Sequence, residues 1–244
     1  MTIAEKITRA KADYDEVYEA GKAAGSDSQY DTFWDAFQQN GTRTNYARAF
    51  YENVGWNATT FRPKYDIVPK YGGEILQAFY KTGDIGDLNA ILEDCGVVLD
   101  LSKCEELNGV FYGAGITTLP VIDCSSCLSF ISTFGSNNMV SITEVRNVQE
   151  TATFNTASFS ALLLEEVRFT GTIGTSISFQ EAPRLSVDSI KNIISHLKNY
   201  AGTDDESTYK ITIRSERWDA LEASGSAPNG GTWKDYVMSL GWIV

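Results

Sequence analysis

The chain has 244 residues and a mass of 26.9 kDa, with 43% hydrophobic and 21% charged residues, the balance of a folded protein of one large or two small domains. Its formal charge is −12, and the densest basic stretch (Arg43, Arg48, Arg62, Lys64 and Lys70) is spread among acidic and aromatic residues. Nucleic-acid binding, which needs concentrated cations, is not expected; nor is membrane insertion, since no stretch reaches the roughly 18 apolar residues of a spanning helix.

The first residues lack an apolar signal core and a small-residue cleavage site, so no signal peptide is expected. Ile3, Ile7, Ala10, Tyr14 and Val17 form one helical stripe, and Ala24 to Ser28 reads as a break. Tyr30, Phe33, Trp34 and Phe37 recur at the spacing of a second helical face, with Asn40-Gly41 as its stop. This face is read as core, with docking of a partner as the alternative. Asn45 to Val54 predicts another short helical turn. Pro63 and Pro69 in 57–69, a segment without periodicity, predict an extended linker. Residues 1–60 are thus expected to form a helical attachment or capping module, and 61–95 a linker and first cap. Within 61–95, Ile75, Leu76, Phe79 and Tyr80 suggest an amphipathic piece, and Leu88, Ile91 and Leu92 a second helical turn.

From 96 to 180 the sequence repeats. Asp100, Asp123, Arg146 and Arg168 fall in one column at steps of 23, 23 and 22, each preceded by a branched aliphatic: Leu99, Ile122, Val145 or Val167. Leu119, Ile142 and Leu164 make a second column, and Phe111 and Phe134 a third. A period of 20–29 residues with apolar ladders predicts a right-handed solenoid of leucine-rich-repeat type. The four charged residues are then expected in an outward acidic-to-basic strip, the candidate binding face. Residues 181–244 predict a C-terminal α/β cap: a helix over Val187, Ile190, Ile193, Ile194 and Leu197, a strand at 209–214, and a closing helical region around Trp233 and Val237. Ile211, 44 residues after Val167, is expected to extend the ladder by one coil. The fold class expected is α+β.

The spacings Phe111–Ile116–Leu119–Ile122 and Phe134–Met139–Ile142–Val145 are identical, at 5, 3 and 3. They resemble the BspA-like class of bacterial leucine-rich repeats. The segments Val17 to Gly21, Tyr30 to Gly41 and Phe61 to Ile67, with the end from Leu185 to Trp242, resemble the leader and C-terminal module of repeat proteins encoded by phages and prophages of gut Firmicutes. The resemblance implies a non-enzymatic structural or binding protein, virion-associated and near the tail. Its partners would be phage structural proteins or a host surface receptor, with a homo-oligomer compatible. The alternative is a bacterial cell-surface adhesin; without either setting, the chain reads as cytoplasmic or surface-located.

Chemistry-bearing constellations are sparse. The only histidine, His196, sits beside a helical apolar stripe, which leaves nucleophilic triads and histidine metal sites without their base or ligand. Cys104 and Cys127 are 23 residues apart and share a column, which favours buried free thiols over a zinc site with Cys95 and Cys124 or a disulfide. The acidic pairs Glu105-Glu106 and Glu165-Glu166 and the run Asp204 to Glu206 read as solvated rather than glycosidic. No catalytic residue, metal ligand or cofactor is therefore assigned.

Overall fold

A computed structural model of the chain describes residues 34–53, 55–136 and 138–244. The stripe from Ile3 to Val17, and Tyr30 and Phe33, lie outside the described residues. In chain order the elements are β1 (Asp84–Asp87), α1 (Leu88–Cys95), β2 (Gly115–Asp123), β3 (Ser141–Val148), β4 (Glu166–Gly171), β5 (Ile177–Phe179), α2 (Val187–Ser195), β6 (Ile211–Ile213), α3 (Ser215–Ala223) and α4 (Trp233–Ser239). Strands β1 to β4 form one parallel sheet in chain order, and β5 and β6 a separate parallel pair.

This α/β arrangement corrects the expected α+β leucine-rich-repeat solenoid over 96–180. The main sheet begins at Asp84, its strands run from four to nine residues, and its pairing is broken by register shifts between β1 and β2 and between β3 and β4. Leu119 does pair with Ile142, and Ile122 with Val145. Ile142 then pairs with Val167 rather than Leu164, and Val145 with Phe169. Ile211 joins Ile177 in the second sheet and does not continue the Val167 ladder.

Burial explains the slip. In β2 the inward residues are Ile116, Leu119 and Ile122, and in β3 they are Ile142, Val145 and Val148, so both strands bury every third residue. Strand β4 buries alternate residues, Val167 and Phe169. A three-residue step facing a two-residue step leaves β3 with an extra residue twice, once between Ile142 and Val145 and again between Val145 and Val148. Asn147, at φ 59°, absorbs the second as a left-handed bulge, its N–H bonded to Thr170 Oγ1 at 3.1 Å. Opposite, Gly171 has φ 89°, and a Cβ there would clash with the Val148 carbonyl oxygen.

The core is organised around a file of phenylalanines. Phe50, Phe79, Phe111, Phe134, Phe159 and Phe179 are all buried, and successive ring centroids lie 4.9, 5.5, 6.1, 5.1 and 4.8 Å apart. Successive passes of the chain are joined through the backbone: the amides of Phe50, Phe79, Phe111 and Phe134 donate to the carbonyls of Ala78, Val110, Thr133 and Ser158. Buried hydroxyls bond further backbone carbonyls of these passes. Thr133 donates to Leu107 O at 2.9 Å, Ser136 to Ala114 O at 2.6 Å and Ser158 to Phe130 O at 2.7 Å.

The ends of the sheet are covered differently. At the N-terminal end, Trp34, Phe37, Phe50, Trp56 and Phe61 pack edge to face or tilted, in one cluster with the rest of the core. Segment 57–69, expected to be a sparsely contacted linker, buries Phe61 and Ile67 and is clamped by the fully buried Gln38. Gln38 Oε1 accepts the amides of Lys64 (2.8 Å) and Tyr65 (3.0 Å), and its Nε2 donates to Tyr65 O (2.6 Å). Residues 45–53 and 75–81 are turns rather than helices, whereas the helix expected at Leu88 forms as α1, with Asp87 accepting the Ala90 amide.

At the other end, α2 lies against β4 and its side chains stand where a further strand would bond. Val167 N donates to Ser189 Oγ (3.1 Å) and Phe169 N to Asn192 Oδ1 (2.6 Å), while Asn192 Nδ2 donates to Phe169 O (3.3 Å). The cap of α2 is Ser186, whose hydroxyl accepts the Ser189 amide. Among the described residues no helix is long and apolar enough to cross a membrane.

Candidate functional site

The sheet's outer side is built by the period-three strands, which turn two of every three side chains outward. Asp123 and Arg146 are paired residues on adjacent strands, as expected for the strip. Arg168 is exposed on β4 but falls out of line, because Val145 already faces Phe169. Asp100 follows Leu99, which pairs with Ile67, so it belongs to a different pairing from β2. The strip is therefore a two-residue rung with neighbours, not a continuous column of four.

Arg146 does not close an ion pair on Asp123. It turns back along its own strand and grips Glu144 with two bonds, Nε to Oε1 at 3.2 Å and Nη2 to Oε2 at 2.9 Å. Glu144 also accepts from Thr170 Oγ1 at 3.0 Å. The bonds from Arg146, and then that from Thr170, outweigh partial burial and hold the Glu144 carboxyl below its usual value. Burial of Asp123 opposes ionisation, but bonds from Ser125 and Asn147 and the Arg146 charge prevail and lower its pKa as well. Sequence reasoning missed Glu144, Asn147 and Thr170. A signal for Ser125 was present: Asp100-x-Ser102 and Asp123-x-Ser125 form the same turn, each carboxylate accepting the serine amide at 3.0 Å.

The face from Tyr30 to Phe37, read as core with docking as the alternative, is described at Trp34 and Phe37 only. Trp34 and Phe37 are 1% and 4% exposed and belong to the core, because they close the end of the phenylalanine file. A second outward feature was not foreseen. Arg48-Ala-Phe-Tyr-Glu52, Gln77-Ala-Phe-Tyr-Lys81 and Gly109-Val-Phe-Tyr-Gly113 are one motif in one conformation. Its first and last residues are left-handed each time, with φ of 54, 54 and 65° and then 49, 47 and 64°. The phenylalanines point inward; Tyr51, Tyr80 and Tyr112 point outward, half-buried, and stack at 4.9 Å and 5.5 Å with interplanar angles of 8° and 19°. In the next pass the tyrosine is replaced by Gly135, against which the Tyr112 ring lies: a Cβ there would be 2.9 Å from it.

The remaining chemistry-bearing residues are scattered. Cys104, Cys124 and Cys127 are buried free thiols; burial pushes Cys104 and Cys127 up to about 12 and Cys124 well above its ordinary value. Glu105, Glu106, Glu165, Glu166 and Asp204 to Glu206 are all exposed. His196 ends α2, with Nδ1 2.8 Å from the Asn192 carbonyl oxygen. Among the described residues no cluster of three metal-ligating side chains occurs. Compared with known protein families, curated proteins and solved structures, the chain matches none of them.

Proposed function

We propose that the chain is a non-enzymatic structural and binding protein, borne by a phage or prophage, that displays the outer side of the β1–β4 sheet to a protein partner. The observation that carries the binding reading is the pre-ordered polar surface on β2–β4. Glu144, Arg146, Asp123 and Asn147 are held by hydrogen bonds on paired strands, so contact with a partner fixes few further rotamers. The phage setting rests on the resemblance of the flanking segments. Mass spectrometry of purified virions from a lysogenic host culture tests it: this polypeptide should co-purify with the particles, and its consistent absence sinks the setting. Reversing Asp123 and Arg168 in charge should weaken capture of the particle or receptor partner. Unchanged capture would remove the outer sheet as the binding face.

A further inference from the structure

The phenylalanines of the three Phe-Tyr motifs complete the core, so the packing of the interior does not call for tyrosine beside them. The tyrosines form a rigid outward row whose rung spacing is set by the backbone bonds of the same three passes: Glu52 N to Tyr80 O at 2.8 Å and Lys81 N to Tyr112 O at 2.9 Å. Polar side chains border the first two rungs along both left-handed columns, and Gly109 and Gly113 leave the third open. Arg48 Nε donates to Gln77 Oε1 at 3.0 Å on one side, and Lys81 Nζ stands 3.7 Å from Glu52 Oε1 on the other. Arg48 and Lys81 also lie over the Tyr51 and Tyr80 rings, at 5.3 Å and 5.2 Å. Tyrosine offers a stiff apolar edge ending in a hydroxyl at small entropic cost, and the stack restricts it further.

We infer that the Tyr51–Tyr80–Tyr112 row is a binding site for a linear polysaccharide lying along the stack, one sugar ring to each rung. The periodicity selects the ligand. An extended peptide repeats its same-side residues every ~6.6 Å and loses step with rungs of 4.9 and 5.5 Å by the third tyrosine. A partner helix has a matching pitch but docks its apolar face into an apolar groove, whereas this row ends in hydroxyls and has charged and polar side chains beside its first two rungs. A chain of six-membered sugar rings has a repeat close to one rung and presents hydroxyls and C–H faces to phenol hydroxyls and ring edges. The Arg48–Gln77 and Lys81–Glu52 pairs supply further donors and acceptors along its sides. This site is separate from the outer sheet and stands or falls independently of the proposed phage setting.

Isothermal titration calorimetry of the full chain with glucose, cellobiose, cellotriose and cellohexaose, and with chitohexaose and maltohexaose, tests it. Affinity is expected to climb with each ring up to three and to change little beyond. Tyr80→Ala should weaken the best ligand by about tenfold or more, the worth of one hydrogen bond with its apolar contact. Tyr80→Phe, which keeps the stack, should give an intermediate loss, and circular dichroism reports the fold of both variants. The Asp123 and Arg168 charge-reversal variant should bind sugar as the parent does. Failure of every sugar to bind the parent overturns the site, as does binding that is unaffected in both Tyr80 variants or shows no dependence on chain length.

Discussion

Phe111 stands at the middle of the phenylalanine file, fully buried, with Phe79 at 5.5 Å and Phe134 at 6.1 Å, both nearly parallel to it. Replacing it by alanine removes the ring from a site whose neighbours are fixed by backbone bonds to the passes above and below, so the hole cannot collapse. Phe→Ala in such a core costs about 3–5 kcal/mol, and two lost ring pairs place this case in the upper half of that range. For a chain of this size each kcal/mol shifts the midpoint by about 2–4 °C, so thermal unfolding should fall by roughly 8–20 °C. Tyr112→Ala, one residue on but facing outward, should cost only about 1–2 kcal/mol. Urea unfolding followed by circular dichroism and by tryptophan fluorescence measures both. A Phe111→Ala protein within about 1 kcal/mol of the parent, or a Tyr112→Ala protein losing as much as Phe111→Ala, would refute the central role given to the file.

Three further outcomes are expected. Ser189→Ala with Asn192→Leu strips the acceptors from the β4 amides of Val167 and Phe169, costing about 1–3 kcal/mol for each orphaned group. It also uncovers a pairing edge, so size-exclusion chromatography with light scattering should show association; a monomeric double variant of parental stability would count against the capping role. Glu144 is held below its usual pKa in the folded protein, so its contribution is present above the unfolded value of about 4.3 and lost as pH falls through the folded one. Glu144→Gln should therefore flatten the acid limb of a stability-versus-pH curve and leave its slope near neutrality unchanged. Native protein at pH 8 should leave Cys104, Cys124 and Cys127 unmodified by an aromatic disulfide reagent, with all four thiols, including half-buried Cys95, reacting in denaturant. Rapid native reaction of more than one thiol would contradict their burial.

Where a residue's partner sits a repeat-length away and both strands bury the same phase, the columns were readable: Leu119 with Ile142, Ile122 with Val145, Asp123 with Arg146. The next column was misplaced by three residues for a physical reason. Ala161, Leu164 and Val167 are all buried, so a ladder slipped by three looks as apolar as the true one. What distinguishes them is the irregular pairing of β3 with β4, whose first shift already falls between Ile142 and Val145, and no residue type there announces it. The Phe-Tyr motifs escaped because their intervals are 29 and 32, stretched by the 57–69 segment and by α1. That segment read as a linker because its prolines break periodicity; what pins it is the distant Gln38 side chain. Of the candidate site, the Asp123–Arg146 rung was visible, but the partner of Arg146 was not, since a guanidinium reaches along its own strand as easily as across to the next.

The three-residue burial phase of β2 and β3 also sets how freely this surface can be rewritten. In an ordinary half-buried strand every second side chain is anchored in the interior; here, between Ile142 and Val148, four of seven positions touch solvent. A change at Thr143 meets mainly the mild preferences of a strand surface, a span of about 1 kcal/mol. A change at Ile142 or Val145 opens a cavity in the core, at about 2–5 kcal/mol for truncation of an Ile. Selection acting on what the sheet touches is thereby uncoupled from selection on whether it folds. A lineage under pressure to follow a changing partner can vary the outer residues in quick succession while the inner ones stand still.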